Sequence, residues 1–287
     1  MFLFSVQSNE MRISIKSKQA LRVLALLIGA FGGVGQGVRA EELVIPLEVP
    51  QLNFIGVGVG AYPDYLGSAD YDVGAAPFGR FSLGGERFVR LLGNEARINL
   101  LDNPNWQFGP AALWRLSRED VENPVVNKVH EIDDAINLGL FGGYLWHDPD
   151  EIRRLAGVGA WALGDVSGVD NGWTAGINAY ATQPVARMVT LAGGAAFTYG
   201  SGNYMKEYFG VTPADSLASG LPVYVPGGGA RDVRGWGAAV LSLSLHWHLG
   251  VGVMYSRLLG DAADSPLVAL EGSKNQWIYG LGTLYAW

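Results

Sequence analysis

Large and small side chains alternate along the last eleven residues of the chain, 277–287. The odd positions hold Trp277, Tyr279, Leu281, Thr283, Tyr285 and Trp287. A period of two predicts a β-strand, because successive side chains leave opposite faces of the pleat. A face with aromatic rings at both ends and an aliphatic residue between them is typical of a strand that contacts lipid. An edge strand of a soluble β-sandwich is the alternative interpretation of this stretch.

The same kind of alternation recurs along the chain in segments of roughly the barrel-strand length of about 9–11 residues, separated by turn signals. The predicted strands are 53–62, 74–83, 87–92, 95–101, 106–116, 136–146, 152–163, 172–182, 187–199, 231–245, 248–258 and 277–287. The seventh segment alternates too weakly for its two faces to be assigned. Twelve is an even number, as a bacterial membrane barrel requires.

The lengths of the connections separate a membrane barrel from a sandwich. All the long ones follow odd-numbered strands: 63–73, 117–134, 200–230 and 260–275. A bacterial barrel has short periplasmic turns, long external loops and both termini in the periplasm, so its long loops must follow odd-numbered strands. The pattern therefore predicts an all-β fold, an antiparallel transmembrane β-barrel of about twelve strands that occupies residues 52–287.

The first 40 residues have the pattern of a secretory signal peptide. Four basic residues precede an apolar stretch over 23–34, and Ala40 ends a tolerable cleavage site. The apolar stretch is shorter than the about 20 residues that a spanning helix needs. We expect cleavage after Ala40, a proline-punctuated periplasmic leader over 41–51, and translation from either Met1 or Met11.

Composition narrows the class of partner. Removal of residues 1–40 would leave 15 basic and 26 acidic residues, a net charge of −11, which disfavours nucleic acid as a ligand. The chain has no cysteine, which excludes disulfides and thiolate metal sites. We expect the protein in the outer membrane of a Gram-negative bacterium, with outer-membrane lipid and lipopolysaccharide as its neighbours.

Two stretches resemble the MipA/OmpV family of outer-membrane proteins. They are Tyr208-Phe-Gly-Val-Thr-Pro-Ala-Asp-Ser216 and Tyr255-Ser-Arg-Leu-Leu-Gly-Asp-Ala-Ala-Asp-Ser-Pro-Leu-Val268. The resemblance implies an outer-membrane barrel. One member is described as a scaffold that links a lytic transglycosylase to a bifunctional penicillin-binding protein in murein synthesis. Others are associated with osmotic response, adhesion or antibiotic sensitivity, so the family indicates the location more firmly than the task.

The terminal strand carries a further resemblance. A last strand that ends in an aromatic residue, with Tyr285 two positions earlier and Trp287 at the end, is similar to the signal by which the barrel-assembly machinery recognises its clients. The resemblance implies that this machinery is a partner during insertion.

Charged residues on the predicted inward faces are the first candidates for a site. Glu95, Arg97 and Arg115 are expected to form a cluster inside the lumen. Such a cluster either plugs the barrel as an ion-pair network or selects solutes at a constriction. A twelve-stranded barrel lies between filled eight-stranded barrels and open porins, so its size leaves both alternatives open.

The last loop contains the second candidate, the segment with Asp261, Asp264, Ser265 and Pro266. Two carboxylates could contact a divalent cation, but calcium takes 6–8 oxygen ligands. Gly260 and Pro266 are suited to turns, so a structural role for this loop is favoured over a metal site. We therefore expect no metal and no other cofactor.

Catalysis has a single weak candidate. His130 has Glu131 and Asp133 as acidic neighbours, but nothing in the sequence supplies a serine in hydrogen-bond reach. We therefore expect a non-enzymatic structural or scaffold protein. A narrow channel for small solutes, or an osmotic-response porin, is the alternative, and a lipid-modifying enzyme is the least favoured hypothesis.

Overall fold

Twelve antiparallel strands form a closed barrel in the computed structural model, which describes residues 52–287. Each strand pairs with its neighbours in sequence, and β1 pairs with β12 to close the sheet. The predicted fold class and strand number are confirmed. The predicted signal peptide (1–40) and leader (41–51) lie outside the described residues and stay predictions.

The strand boundaries agree with the predicted ones to within a few residues. The strands are β1 (Phe54–Pro63), β2 (Tyr71–Gly84), β3 (Arg87–Leu92), β4 (Glu95–Asn99), β5 (Trp106–Arg115), β6 (Ala135–His147), β7 (Leu155–Asp165), β8 (Trp173–Ala186), β9 (Val189–Gly200), β10 (Gly229–Ser242), β11 (Trp247–Leu258) and β12 (Asn275–Ala286). The predicted fourth and tenth strands extend two and three residues too far, because turns begin there.

The seam between β1 and β12 has the predicted alternation. Val59 lies opposite Leu281 on the outer face, and Gly58 lies opposite Gly282 on the inner face. Leu281 is 61% exposed on the barrel exterior. Gly56 is required by a close approach, since a Cβ there would overlap the Phe78 ring and the carbonyl oxygen of Thr283.

Aromatic side chains surround the barrel exterior at two levels. At the periplasmic level the Phe81 and Trp287 rings lie 6.1 Å apart, and at the external level the Tyr255 and Trp277 rings lie 4.7 Å apart. Exposed aliphatic residues fill the band between them. In water this band would be a very large apolar patch, whereas between two aromatic girdles it matches a bilayer.

The faces of β7, which the sequence left unassigned, are now clear. Val158 is 57% exposed on the exterior, and Trp161 points inward, where its ring covers Gly176. Leu155 and Leu163 are also buried on the inward face. The alternation is weak because both faces of this strand are hydrophobic, one against lipid and one against the interior of the barrel.

Three of the long connections contain helices where loops are predicted from the sequence. They are α1 (Gly202–Phe209), α2 (Pro213–Ser219), α3 (Gly260–Asp264) and α4 (Pro266–Ala269), and a 3-10 helix covers Val126–Lys128. The start of α2 is a capping box, in which Thr212 and Asp215 bond each other's backbone. Within residues 52–287 no helix has the length and apolar content to cross a membrane.

The long external connections fold together over the mouth of the barrel. We call this layer, residues 64–70, 116–134, 201–228 and 259–274, the cap. Its two hydrophobic clusters consist of Ile132, Tyr204, Met205, Tyr208, Phe209, Leu258, Ala262 and Val268, and of Tyr65, Val121, Val126, Val129, Val211, Leu221 and Leu267. Because these side chains are buried against each other, the cap is a packed layer with its own core.

Hydrogen bonds fix the cap segments to one another. Arg118 Nη1 donates to the carbonyl oxygen of Tyr208 at 3.0 Å, and the backbone N–H of Glu122 donates to Asp64 Oδ2 at 2.9 Å. Ser265 Oγ donates to the carbonyl oxygen of Phe209 at 2.7 Å. The external end of the barrel is therefore covered by joined segments.

Candidate functional site

The interior of the barrel has one apolar side and one polar side. On the apolar side, a cavity of about 130 Å³ lies between β1, β2, β10, β11 and β12. Part of the cavity wall is bare backbone, because many of the lining residues are glycines. The larger lining residues include Phe78, Trp236, Met254 and Ile278. On the polar side, charged residues of β2, β3 and β4 point into the lumen.

Three arginines lie side by side on that polar side. Arg80 of β2 is directly opposite Arg90 of β3, and Arg90 is directly opposite Arg97 of β4. We call these three residues the arginine ladder. The guanidinium of Arg80 lies 4.4 Å from the centre of the Phe88 ring, and that of Arg97 lies 5.2 Å from the Phe141 ring. These cation–π contacts hold the outer two side chains in place.

Glu95 binds the end of the ladder. Arg97 Nη2 donates to Glu95 Oε2 at 2.8 Å, and Arg97 Nε lies 2.6 Å from Glu95 Oε1 as an ion-pair contact. The pair therefore joins an ion-pair contact to one charge-assisted hydrogen bond. Glu95 and Arg97, two members of the predicted cluster, contact each other.

Arg115, the third member of the predicted cluster, makes its contacts at the level of the cap. Its Nη2 donates to Thr174 Oγ1 at 2.8 Å, and its guanidinium lies 4.7 Å from the Tyr204 ring of α1. The side chain is fully buried. The predicted cluster is thus divided between the arginine ladder and the underside of the cap.

A second charged cluster, which the sequence analysis missed, joins the barrel wall to the cap. Asp232 accepts bonds from Arg231 Nε at 2.5 Å and from Arg234 Nε at 2.7 Å. Arg231 Nη1 donates to the hydroxyl of Tyr204 at 2.8 Å. Arg231 and Asp232 are both 0% exposed. Strict alternation puts adjacent residues on opposite faces, but an irregularity between Ala230 and Asp232 shifts the register here.

A pocket of about 220 Å³ lies at the periplasmic end of the lumen. Its lining includes Arg80 from the ladder together with Asn99, Gln107 and His147. His147 Nε2 is buried and has no hydrogen-bond partner among residues 52–287. The pocket therefore places polar side chains beside a member of the arginine ladder.

The residues of the predicted loop motif act inside the cap. Asp261 Oδ2 accepts a bond from the backbone N–H of Gly227 at 2.6 Å. Ser265 caps α4, and Pro266 is the first residue of that helix. Asp264 is exposed. Within 52–287 no group of three histidine or acidic side chains is placed to hold a metal ion. The observed contacts of this motif are structural.

His130 pairs with a partner that its sequence neighbours did not indicate. Its Nδ1 lies 2.9 Å from Asp215 Oδ2, and its backbone N–H donates to Asp215 Oδ1 at 2.8 Å. The acid comes from α2, whereas the sequence analysis named Glu131 and Asp133. Among the hydrogen bonds of residues 52–287, none joins His130 to a serine. The pair fastens α2 to the 116–134 segment.

Acid is expected to loosen this part of the cap. Burial raises the pKa of Asp215, but hydrogen bonds from Thr212 and His130 outweigh burial and lower that pKa to about 2. In the unfolded chain the pKa of an aspartate is about 3.9. The stabilisation, on the order of 2 kcal/mol, is therefore present above about pH 4 and is lost as the pH falls towards about 2.

Hydrogen exchange of residues 212–219 at several acidic pH values measures this effect. Asp215→Asn should have a less protected α2 at neutral pH and no further loss of protection across the same interval. Equal protection of the original chain at about pH 4 and about pH 2 would show that Asp215 does not hold the cap.

The aromatic residues of the terminal strand lie at the periplasmic rim. Tyr285 stacks on the His246 ring at 5.5 Å and meets the Trp247 ring edge-on at 5.3 Å. The backbone N–H of Trp287 donates to the carbonyl oxygen of Asn53 at 3.0 Å, where β12 closes on β1. Recognition of Tyr285 and Trp287 by the barrel-assembly machinery stays a prediction.

These features define a transmembrane β-barrel with a lipid-facing exterior, a capped external mouth and a charged lumen. The chain belongs to the MipA family, since the model of that family, described as MltA-interacting protein MipA, matches residues 55–287. The match confirms the resemblance found in the sequence. The protein is an outer-membrane β-barrel.

Solved structures of other outer-membrane barrels are similar to this chain at low identity. The NanC porin is 11% identical, with a TM-score of 0.44, over 80% of this chain and 98% of that one. An outer membrane channel from Pseudomonas putida F1 is 14% identical, with a TM-score of 0.43, over 84% and 97%. OmpT of Vibrio cholerae is 9% identical, with a TM-score of 0.39, over 86% and 100%. Among curated proteins, none matches this sequence.

Proposed function

We propose that this protein is a non-enzymatic scaffold of the outer membrane that binds a lytic transglycosylase at its periplasmic face. The packed cap over the external mouth is the observation that carries the proposal. The description of the family as MltA-interacting adds support for the kind of partner. A bifunctional penicillin-binding protein is the second enzyme that such a scaffold would bring to the murein.

The cap argues against an open path for solutes. Tyr204, Met205 and Phe209 are fully buried in the first of its clusters. Exposing three large apolar side chains to water costs on the order of 5 kcal/mol, at about 1.5–3 kcal/mol each. A barrel that pays this cost with every opening conducts rarely, which suits a structural role better than transport.

The periplasmic turns form a braced surface that a protein partner could bind. Glu151 accepts bonds from Arg153 Nε at 3.0 Å and Nη2 at 2.9 Å, and Arg153 Nη1 donates to the carbonyl oxygen of Arg187 on the next turn. Ile152 and Leu245 are exposed apolar residues at this end of the barrel. Apolar residues beside charged ones are suited to a protein interface.

Substitution of the periplasmic apolar residues should weaken this partner. The double variant Ile152→Asp/Leu245→Asp is expected to lower affinity for a purified MltA-type lytic transglycosylase about tenfold or more, because a charge would be buried in the interface. Leu217→Asp is the matched control, since Leu217 is 90% exposed on the opposite, external end. Surface plasmon resonance with the detergent-solubilised barrel measures both affinities.

Two results would overturn the scaffold. One is equal affinity of the transglycosylase for the original chain and the periplasmic double variant. The other is a steady, ion-selective current from the purified barrel in a planar bilayer. Such a current would support the second candidate, a narrow channel for small solutes, which the arginine ladder favours because it lines the lumen. The His130–Asp215 pair would support a lipid-modifying enzyme only if His130→Ala abolished a measured lipid hydrolase activity.

A further inference from the structure

The apolar cavity of the lumen is bordered by glycines that close packing does not require. A Cβ at Gly250 would come no nearer than 3.9 Å to the rest of the chain, and one at Gly252 no nearer than 3.6 Å. Both are ordinary van der Waals distances, whereas a Cβ at Gly56 would overlap the Phe78 ring. Gly250 and Gly252 both line the cavity of about 130 Å³. The backbone therefore has room for side chains at these positions, and their absence gives the cavity its volume.

The cavity is apolar and lies between two packed layers. Among residues 52–287 no charged side chain lines it. Phe78 and Leu284 line the cavity and also belong to a buried cluster with Phe54, Leu92 and Ala286, at the periplasmic ends of β1 and β12. The cap covers the external end of the lumen. In another protein an apolar cavity of about 150 Å³ stays dry and binds benzene, so the cavity of this barrel suits an apolar group of about six carbons.

A smaller pocket of about 50 Å³ gives this apolar cavity a polar end. The two adjoin, because Met254 and Ile278 line both of them. Ser256 lines the smaller pocket, with Arg234 of β10 directly opposite on one side and Gln276 of β12 directly opposite on the other. The combined space therefore has an apolar body and one polar, basic end.

The hydroxyl of Ser256 is available to a ligand at that end. Ser256 is only 7% exposed, and its hydroxyl makes no hydrogen bond within residues 52–287. The side chains beside it are already fixed: Arg234 Nε donates to Asp232 Oδ1 at 2.7 Å, and Gln276 Nε2 donates to the carbonyl oxygen of Ser68 at 2.9 Å. Asp232 is not among the residues that line the pocket, whereas Arg234 is. A buried hydroxyl without a partner, next to a guanidinium, suits a negatively charged acceptor.

We propose that the cavity and the adjoining pocket bind one unbranched alkyl chain that ends in a carboxylate. The chain lies against the glycines of β11, where removal of its apolar surface from water drives binding. The carboxylate accepts a bond from the Ser256 hydroxyl beside the positive charge of Arg234. This inference goes beyond the scaffold proposed above and does not depend on it, since the ligand is a small amphiphile inside the lumen.

Nuclear magnetic resonance of the barrel in lipid nanodiscs, with ¹³C-labelled methionine methyl groups and octanoate as the probe, tests the site. The described residues contain three methionines in different surroundings. Met254 lines the cavity and the pocket, Met205 is fully buried in the cap, and Met188 is exposed at the turn between β8 and β9. We expect octanoate to shift the Met254 signal saturably and to leave the other two unchanged. Met254→Leu assigns the signal.

Filling the cavity should abolish this response. Gly252→Leu places an aliphatic side chain in the cavity without a backbone clash, so it should weaken octanoate binding at least about tenfold. Gly235→Leu is the matched control: Gly235 lies directly opposite Tyr255, whose ring packs on Trp277 at the barrel exterior, and a Cβ there would come no nearer than 4.0 Å to the rest of the chain. Its replacement should leave octanoate binding unchanged.

The position of the carboxylate has its own test. Ser256→Ala removes the proposed donor and should weaken octanoate binding about tenfold, since a hydrogen bond to a charged group is lost. Equal octanoate affinity in this variant would overturn the placement of the carboxylate.

Each variant is first checked for the heat-modifiable gel shift of a folded barrel. Three results would overturn the site: no saturable shift of Met254 in the folded original chain, an equal response in Gly252→Leu, or parallel, unsaturated shifts of all three methionines, which would mean that octanoate only dissolves in the bilayer. Nuclear Overhauser contacts from the Met254 methyl group to the nanodisc lipid chains, in place of octanoate, would assign the cavity to lipid and overturn the free acid as its ligand.

Discussion

Asp232→Asn is expected to destabilise the folded barrel by about 3–5 kcal/mol. Removing one member of a buried ion pair leaves the opposite charge uncompensated, and the cost of that arrangement exceeds the value of the bond itself. Here one carboxylate serves both Arg231 and Arg234, and Arg231 also bonds Tyr204 in α1 of the cap. The change should therefore loosen the attachment of the cap as well as the upper barrel.

Urea unfolding in lipid vesicles, followed by tryptophan fluorescence, measures this loss. Asp264→Asn is the control, because Asp264 is an exposed acid of the cap and its replacement should change stability by less than about 0.5 kcal/mol. A loss of under about 1 kcal/mol for Asp232→Asn would mean that the cap is held to the barrel by its hydrophobic clusters alone.

The membrane explains why the strands could be predicted so well from the sequence. In hydrocarbon every backbone group must be bonded within the protein, so a chain of this pattern has few alternatives to a closed barrel. The outward residues of β1 and β12 alternate with glycine over their central parts, and the longest connections follow odd-numbered strands. Both features involve residues that are close in sequence, so they are visible in the sequence alone.

The arginine ladder depends on information that is not local. Whether Arg80 meets Arg90 is decided by the register between β2 and β3, and that register shifts between Ser82 and Gly84 just before the turn. Gly84 and Gly85 have φ values of 104° and 59°, a conformation that glycine adopts without strain. A turn one residue longer would bring Arg80 against a residue of the other face.

The cap was the least predictable part because its interactions join distant segments. The Asp215 that holds His130 is 85 residues away in sequence, and Asn123 bonds Glu271 from 148 residues away. The helices themselves left a readable signal, since Thr212-Pro213 with Asp215 is a capping-box pattern. Residues 200–230 are predicted from the sequence only as a long connection, so this helix is missed.

Leu281→Arg is expected to destabilise the barrel in lipid vesicles by about 2–4 kcal/mol, the cost of a basic residue at the middle of a membrane-spanning strand. Leu281 lies midway along the outer face of β12, opposite Val59 on one side and Val251 on the other. In a water-soluble protein the same change at a residue that is 61% exposed would alter stability by less than about 0.5 kcal/mol. The size of the loss therefore reports which solvent the exterior meets. Leu217→Arg, on the exposed outer surface of the cap, is the control and should be neutral; comparable unfolding free energies for both variants in vesicles would contradict a lipid-facing exterior.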